Sequence, residues 1–511
     1  MDTPLPEPPP RHTAARQWLL AAALLTVALL PTAVACAALL TVCLLWGPDW
    51  SAFTPLVLFW FGITGAVARD RGPLPGRAVR PDDEPALAAL VRDVADRLGF
   101  RAPLLVRIVP DVEAFLTRAR VSGVRTHVLF LGLPLIRTLT EAELASVVAH
   151  ELAHQRHVES RRATLLRYAR ARLADRLDAP VRPLAPLAAP LLRASQPDFW
   201  RAETSADADA ARIAGTDATA AALRRTVRLH AVFEGLGEPW LADLAERDAW
   251  PEDFYDALDA ALADPHVAHR AALAAADEDA VDPYAAADHP PEPVRLAALP
   301  ALPGTGTYGD SPVPLRDAPE IARWCVQRLT HQDGQGEDDL EAVRLLDLPA
   351  DELRGLDDDP RTALLFKATG HDTPEAAAGA ALDTFADGTW RGLARRLEPG
   401  LRRVPRAARA HLARRVCAAA TAGALAEVLQ TAGWTPATRW MHTVLASPDG
   451  RTVDLTALLA EALTTADPTA PRALLRSAKE NTQEYAKEST KESTKESTKE
   501  STKESTKESP A

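Results

Sequence analysis

The sequence predicts a mainly α-helical protein with a small β-sheet, preceded by an apolar helical hairpin and followed by a mostly helical C-terminal domain. Three patterns lead to this fold class: two apolar runs near the N-terminus, two strand-like segments beside capped helices, and Ala-rich helical periodicity elsewhere. The expected divisions are an N-terminal tail at 1–16, the hairpin at 17–70, a first domain at 71–301, the C-terminal domain at 315–478 and a repeat tail at 479–511.

Composition excludes some classes of protein. The 511 residues are 47% hydrophobic and carry a net charge of −12, which is enough apolar material for more than one core. The acidic balance, without a basic stripe that contains aromatic residues, argues against nucleic acid as a partner. The four cysteines form neither a disulfide framework nor a C-x-x-C metal pattern. Composition does not indicate an oligomeric state.

The N-terminal apolar runs predict a membrane anchor. Gln17–Trp46 has no charged residue over about 30 positions, well beyond the ~20 that a helix needs to cross a bilayer. Phe53–Ala68 is marginal at about 16 residues; we predict a second span, with a re-entrant or interfacial segment as the alternative. A cleaved signal peptide is rejected, because processing at Cys36 would leave another apolar run at the new terminus.

Charged residues predict the orientation of this hairpin. Arg11 and Arg16 precede the first run and four arginines follow the second, whereas the connecting loop carries only Asp49. Because positive flanks stay in the cytoplasm, the domain beyond the hairpin should be cytoplasmic. The expected location is therefore the cell membrane, with two N-terminal spans and the lipid bilayer as a partner.

The first domain is expected to begin with a helix and two strands. A Pro/Gly/Arg linker leads into a helix at about Glu84–Leu98, which Gly99 ends, and then into a strand at Leu104–Val109. A second strand is predicted at His127–Leu131, because Gly and Pro flank it; the alternative is the start of a buried helix.

The next helix carries the arrangement that implies a particular chemistry. Thr140 and Glu143 form a T-x-x-E capping box, which starts a helix containing H-E-x-x-H at His150, Glu151 and His154. Residues four apart share a helix face, so both imidazoles can bind one metal ion. Glu151 is placed to hold a water molecule rather than to act as a ligand. The alternative is a solvated helix with two histidines by chance.

A catalytic zinc ion needs a third protein ligand and an open fourth position. His157 lies about 10 Å along the helix from His150, too far to share its ion comfortably. A better candidate is Glu203 in the helical segment Phe199–Gly215, with Asp207 one turn later to orient a ligand histidine. An acid pair at this spacing is more often a solvated helix face. The pair therefore supports a metal site only in combination with the H-E-x-x-H motif. One zinc ion per chain is expected.

These motifs resemble those of the HtpX-like and CAAX-prenyl-protease-like membrane-anchored zinc metallopeptidases, which are gluzincins. The resemblance covers roughly 87–299 and includes H-E-x-x-H, then E-x-x-x-D at Glu203 and Asp207, and then H-P-P-x-x-x-R from His289 to Arg295. The chain has Glu113 where the family commonly has Asn before Ala-Phe. Between the zinc motifs, Ala179–Leu192 is too short and Pro-rich to span a membrane.

The resemblance implies an α+β zincin-type metallopeptidase domain. It makes His289 a catalytic candidate that reaches the site from a loop, the alternative being a lone surface histidine. Arg295 is expected to bind the substrate or the developing oxyanion, with a structural salt bridge as the alternative. An edge strand beside the zinc helix would bind an extended peptide by adding it to the sheet.

The leading functional hypothesis is therefore a membrane-anchored zinc metalloendopeptidase that cleaves protein substrates, with membrane-protein quality control as its setting. In this hypothesis His150, His154 and Glu203 bind zinc, and Glu151 is the general base. The alternative is a non-catalytic membrane adaptor with a structural zinc site and a client-binding helical domain. A prenyl-protein protease is disfavoured, because it would need a chamber of many spans.

The remaining sequence shows no recognised chemistry. Residues 217–280 look like helical scaffold broken at Gly235–Pro239 and Trp250-Pro251. In the C-terminal domain we predict helices at Asp338–Leu346 and Ala407–Leu429. A hairpin is also expected there, with Met441–Leu445 and Thr452–Leu455 flanking a Pro-Asp-Gly turn. From Lys487 the repeated K-E-S-T sequence lacks apolar residues, so it should be a disordered or transiently helical tail.

Overall fold

The protein is described by a computed structural model. It describes residues 11–46, 74–121, 123–157, 161–178, 184–278, 289–304, 306–330, 340–356 and 361–481. The described chain is mostly helical with small sheets, so the coarse fold class is confirmed. It divides into two compact units: Met1–His230 with Ala275–Glu337, and Ala231–Ala274 with Asp338–Ala511.

The first unit begins with a long apolar helix, α1, at Arg11–Trp46. Its segment Ala14–Ala38 is long and apolar enough to cross a membrane. The predicted second span, Phe53–Ala68, lies outside the described residues, as do the K-E-S-T repeats.

A four-stranded sheet forms one side of the first unit, in the order β1-β2-β4-β3. The strands β2 and β4 run parallel, and β1 and β3 are antiparallel edge strands. The predicted strand at 104–109 is confirmed, and the one predicted at 127–131 lies within the longer β4. The bounds are β1 Arg77–Val79, β2 Leu104–Val109, β3 Ala114–Val121 and β4 Val124–Gly132.

Among the described residues, the first unit contains eight further helices. The predicted first helix is confirmed as α2, which ends at Gly99 with φ +68°. The bounds are α2 Pro85–Leu98, α3 Leu133–Thr138, α4 Glu141–His157, α5 Arg161–Asp178, α6 Ala185–Ala214, α7 Thr216–Val232, α11 Glu292–Ala298 and α12 Ala318–Thr330, the labels α8 to α10 belonging to the second unit.

The capping box is formed as predicted. The backbone N–H of Thr140 donates to Glu143 Oε2 at 2.9 Å, and the N–H of Glu143 donates to Thr140 Oγ1 at 3.3 Å. Apolar residues such as Leu144, Val148 and Leu152 then bury one face of α4 completely or nearly so. The start and the rotation of the motif helix are therefore both fixed by sequence.

The second unit is mostly helical. Its bounds are a π-helical turn Phe233–Gly237, α8 Glu238–Glu246, β5 Ala249–Pro251, α9 Phe254–Leu262, α10 Pro265–Glu278, β6 Glu341–Val343, α13 Ala350–Gly355, α14 Arg361–Thr369, α15 Pro374–Ala386, α16 Trp390–Leu397, a 3-10 turn Pro399–Arg402, α17 Arg406–Thr431, β7 Thr435–Pro436, β8 Val444–Ala446, β9 Thr452–Asp454 and α18 Leu455–Thr465, with a last helix at 469–481.

Several predictions for this unit are confirmed and one is wrong. The predicted helix at 407–429 lies within α17, and the predicted hairpin is formed by β8 and β9. The helix predicted at Asp338–Leu346 is wrong, because Glu341–Val343 forms a strand that pairs in parallel with Ala249–Pro251. The break predicted at Gly235–Pro239 is a π-helical turn that continues into α8.

The division of the chain also differs from the predicted one. Residues 231–274, expected in the first domain, cluster with the C-terminal segment. The β5–β6 pairing is one reason, and an aromatic contact is another: the Trp240 and Trp440 rings lie 5.7 Å apart between centroids. Both contacts join residues about 90 to 200 positions apart, which local patterns do not reveal.

Candidate metal centre

The two histidines of the motif point to the same place. His150 and His154 lie on one face of α4, and their Nε2 atoms are 3.0 Å apart. Each residue keeps only 8% of its surface exposed. The i, i+4 spacing therefore places both imidazoles on one helix face, as the sequence predicts.

The third donor comes from α6, which packs against α4. Glu203 is 6% exposed, and its two carboxylate oxygens face different histidines. The Oε2 atom lies 3.4 Å from His150 Nε2, and Oε1 lies 3.3 Å from His154 Nε2. The structure thus brings together all three residues that the sequence suggests as metal ligands.

Asp207 lies one turn further along α6 and faces the other nitrogen of His150. Its Oδ1 atom is 2.9 Å from His150 Nδ1, and the residue is 2% exposed. A carboxylate at this position accepts the Nδ1 proton and leaves Nε2 with its lone pair toward the cluster, which is the tautomer a metal ligand needs.

Arg295 on α11 forms an ion pair with Asp207. Its Nε donates to Oδ2 at 2.9 Å and its Nη2 donates to Oδ1 at 2.7 Å, a bidentate arrangement. Of the two roles considered from sequence, this geometry corresponds to the salt bridge. Arg295 can still influence the centre, because Asp207 contacts His150.

His289 does reach the centre from the loop before α11. Its Nδ1 atom lies 2.6 Å from Glu203 Oε2, while its side chain remains 61% exposed. His150, Glu203 and His289 each offer one donor atom within 4.8 Å of the others, as do His150, Glu151 and His154. Glu151 therefore lies beside the cluster as expected. The side chain of His157 lies outside the described ones.

The electrostatics favour a positive charge between the acids. Burial lowers the pKa of His150, but hydrogen bonds to Asp207 and Glu203 outweigh it and raise that pKa to about 9. Burial and the charge of His150 together lower the pKa of His154 to about 3. One proton is thus held where a cation would lie, and the pKa of Glu203 is lowered by its histidine partners despite burial.

Burial raises the pKa of Glu151, opposed by the charges of His150 and His289. A carboxylate whose pKa is raised is a stronger base than a solvated one, which suits it to accept a proton. Asp207 differs: burial raises its pKa, but hydrogen bonds from Arg295 and His150 outweigh it and lower that pKa to about 2. The two acids are therefore suited to different tasks.

The donor set fits a zinc ion. In a tetrahedral site with bonds of about 2.0–2.1 Å, neighbouring donor atoms lie about 3.3 Å apart. The spacings among the donor atoms of His150, His154 and Glu203 are 3.0, 3.3 and 3.4 Å. Two imidazole nitrogens, which are borderline donors, and a carboxylate oxygen, which is a hard donor, are also a ligand set found in catalytic zinc sites.

A cleft of about 580 Å³ opens beside the donors. One wall is the segment from Val112 to Phe115, which leads into the edge strand β3, and another wall is α7. His150 and Glu151 also line it. The residues of α7 that face the cleft recur at helical spacing: Thr219, Ala222, Leu223, Thr226, Val227 and His230. Sequence reasoning treated this helix as scaffold; the repeat of small and apolar residues on one face was the available signal.

The fold and donor set define a metallopeptidase-type centre in which one helix supplies two imidazoles and a second supplies a carboxylate. Residues 81–302 match the model of peptidase family M48. This match confirms the resemblance noted from the motifs, and it supports metallopeptidase activity on proteins or peptides. No curated protein and no solved structure matches the chain.

Proposed function

We propose that this protein is a membrane-anchored zinc endopeptidase. The observation that carries the proposal is the convergence of His150, His154 and Glu203 beside Glu151, at donor spacings of 3.0 to 3.4 Å. A zinc ion bound there would lower the pKa of a water molecule at its open position and polarise the scissile carbonyl.

The protein residues supply the remaining steps. Glu151 takes a proton from the attacking water as its oxygen bonds to the carbonyl carbon, and then delivers a proton to the amine nitrogen as the C–N bond breaks. Asp207 holds the tautomer of His150, and Arg295 holds Asp207. His289 is placed on the solvent side of the centre, where it can contact a bound substrate.

The shape of the cleft supports cleavage within extended chains. The free edge of β3 can pair with a peptide backbone, since β3 has only β4 as a neighbour in the described sheet. Such a peptide would run between Phe115 and α7, with one side chain in the largely apolar cleft. An endopeptidase that accepts an apolar residue next to the scissile bond follows from this arrangement.

The anchor is proposed from α1. Ala14–Ala38 has the length and hydropathy of a membrane span, and the family that the sequence motifs resemble is membrane-anchored. The proposed location is the cell membrane with two N-terminal spans, a cytoplasmic catalytic domain and membrane-protein quality control as its setting.

The test is Glu151→Gln in the full chain, with metal analysis and casein cleavage measured on the same preparation. Glu141→Gln is the matched control, because Glu141 lies on the first turn of the same helix. We expect both variants to retain one zinc ion, and only Glu151→Gln to lose about 10²- to 10⁴-fold in rate. Undiminished cleavage by zinc-loaded Glu151→Gln would refute the role of Glu151.

One observation favours a second candidate, the non-catalytic adaptor with a structural zinc site. His289 is close enough to be a fourth donor, and a site with four protein donors is closed. A hydroxamate probe separates the two functions, because it binds only where zinc has an exchangeable position. Tight hydroxamate binding supports the peptidase; absence of binding to zinc-loaded protein supports the adaptor.

A further inference from the structure

The half of the edge strand β3 that lies away from the cleft carries a cluster of positive charge. Its partner β4 is antiparallel, and the register places Arg120 directly opposite Arg125, and Arg118 directly opposite His127. Residues that face each other across an antiparallel pair point to the same side of the sheet, and so do residues two apart on one strand. Arg118, Arg120 and Arg125 therefore lie on one face of the β3–β4 hairpin, and all three are exposed.

These three arginines repel one another. Like charges directly opposite on neighbouring strands destabilise the pairing, and Arg120 and Arg125 are such a pair. Within the described part of the chain, no ion pair involves Arg118, Arg120 or Arg125. Arg118 Nε donates to His127 Nε2 at 3.3 Å, and burial together with the charge of Arg118 lowers the pKa of His127, so this imidazole is a neutral partner. An anionic ligand on this face would relieve the repulsion.

The cluster lies on the side of the sheet that the motif helix α4 covers. His127 shares the face of the three arginines, and its side chain interacts with that of Gln155. Gln155 belongs to α4 and directly follows His154 in the sequence. The helix that carries two of the proposed metal ligands therefore packs on the face of the sheet that bears the positive charge.

The free edge of β3 connects the cleft with this cluster. The cleft is lined by the segment from Val112 to Phe115, and β3 continues to Val121 with only β4 beside it in the described sheet. The path from Phe115 to Arg120 is about 17 Å long at about 3.3 Å per residue. A peptide that pairs with this edge from the cleft onward would place side chains about 5 Å from those of Arg118 and Arg120, on the same face.

We propose that Arg118, Arg120 and Arg125 select peptide substrates that carry acidic residues on the N-terminal side of the scissile bond. Antiparallel pairing is more common than parallel pairing, and a peptide antiparallel to β3 has its N-terminal part beside the arginines. The acidic residues belong three and five positions before the residue that pairs with Phe115, opposite Arg118 and Arg120. This inference rests on the proposed peptidase function for the position of the scissile bond.

The test compares three fluorogenic peptides with the full chain. One peptide carries two glutamates at the proposed upstream positions, the second carries glutamines there, and the third carries the two glutamates at the mirror positions after the scissile bond. We expect kcat/KM about fivefold higher for the upstream glutamates than for the glutamines at low ionic strength. The preference should fall below about twofold at high salt, because exposed charges are screened.

Charge variants identify the residues responsible. Arg120→Glu should lower the ratio of kcat/KM for upstream glutamates over glutamines to about one or less, and Arg120→Gln should lower it part of the way. Arg92→Glu is the matched control, because Arg92 is an exposed arginine on α2 in the same unit and should keep the wild-type ratio. An equal fall in Arg92→Glu and Arg120→Glu, or equal acceleration by glutamates on either side of the scissile bond, overturns the proposal in favour of general charge attraction.

A binding measurement separates this proposal from the peptidase function. Zinc-loaded Glu151→Gln is titrated with labelled versions of the upstream-glutamate and glutamine peptides, and binding is followed by fluorescence anisotropy. Tighter binding of the glutamate peptide that is lost when Arg120→Glu is added supports the proposal, even if the wild type cleaves neither peptide and the peptidase function thereby fails. Equal binding of the two peptides overturns the proposal, whatever the cleavage assay shows.

Discussion

Arg295 and Asp207 form a bidentate ion pair, with Nε–Oδ2 and Nη2–Oδ1 distances of 2.9 and 2.7 Å. Asp207 uses the oxygen that faces Nη2 to contact His150 Nδ1 at 2.9 Å as well. An arginine about 90 positions further along the chain thus orients a carboxylate that orients the imidazole of a proposed metal ligand. This makes Arg295 a positioning residue in the proposed mechanism.

We predict that Arg295→Met weakens zinc affinity and kcat roughly 10- to 100-fold, the range seen when partners behind a metal ligand are lost. Without the guanidinium, the buried Asp207 carboxylate loses its counter-charge and its orientation. Arg295→Lys should keep the positive charge but only part of the zinc affinity and kcat, because a lysine cannot form the bidentate pair with Asp207. Zinc competition with a chelator, together with kcat and KM, measures both effects.

The control is Arg224→Met. Arg224 lies on α7, is half exposed and is 3.9 Å from Glu292, which lies on α11 as Arg295 does. Removing the Arg224 guanidinium therefore deletes a surface ion pair that contributes little to stability. Equal losses in Arg224→Met and Arg295→Met would indicate a general effect on α11 rather than a specific one on His150.

Gly132 leaves no room for a side chain beside the proposed peptide-binding edge. A Cβ atom there would lie 2.1 Å from Asp111 O and 2.9 Å from Glu113 N. We predict that Gly132→Ala displaces the segment leading into β3 and raises KM at least about tenfold, since misplacing a binding element by about 1 Å is costly. Zinc content should remain unchanged, because none of the donors lies on this segment.

Gly392→Ala is the matched control for that substitution. Gly392 has open space around its Cβ position and ordinary helical φ, so it should be neutral. Steady-state kinetics and metal analysis on both variants test the prediction; an unchanged KM in Gly132→Ala would exclude the edge strand from substrate binding.

Ala222 is the small residue that keeps the cleft open on the α7 side. We predict that Ala222→Phe fills part of this space and lowers kcat/KM at least about tenfold for peptides with Leu or Phe next to the scissile bond. Peptides with Ala at that position should lose much less. A peptide library measured with wild type, Ala222→Phe and the exposed-face control Arg228→Phe gives the comparison. A uniform loss over all peptides would mean that the cleft does not select side chains.

The capping box gives a prediction about local stability. Thr140→Ala removes the acceptor of the Glu143 N–H and should cost about 1 kcal/mol at the start of α4. Glu143→Ala should cost more, because buried Glu143 also accepts from Arg225 Nη1 at 2.8 Å. Hydrogen exchange of α4 amides measures both changes.

Thr373 supplies the control in the other unit. It caps α15 through an Ala376 N–H bond of 3.3 Å, the same length as the Thr140 bond. Thr373→Ala should accelerate exchange in α15 and leave α4 unchanged. Faster exchange in both helices with either variant would contradict a local effect.

Sequence reasoning succeeded where the determining contacts are close along the chain. Thr140 and Glu143 are three apart, and His150 and His154 are four apart, so the helix start and the shared face follow from local geometry. The convergence of Glu203 on these histidines is not local; the motif resemblance indicated it. The contact of Arg295 with Asp207 was one of two open alternatives.

It failed where distant pairing overrides local preference. Glu341–Val343 lies in a segment with an amphipathic helical pattern, yet it pairs in parallel with β5 about 90 residues earlier. The same pairing moves residues 231–274 out of the first unit. The wall of the cleft on α7 was overlooked because Ala222 and Thr226 carry no reactive group, and only the position of β3 opposite them gives them a role.

The acids around the candidate metal centre also determine which charge of metal ion the site favours. When ionised, Glu151, Glu203 and Asp207 contribute three negative charges, and Arg295 cancels one of them. Histidines that bind a metal ion are neutral and add no charge. A doubly charged ion leaves this buried group neutral, whereas a singly charged ion leaves excess negative charge and a triply charged one reverses the sign. Neutrality matters because an uncompensated charge among buried groups is expensive. The counter-charge of Arg295 therefore favours divalent ions independently of coordination geometry.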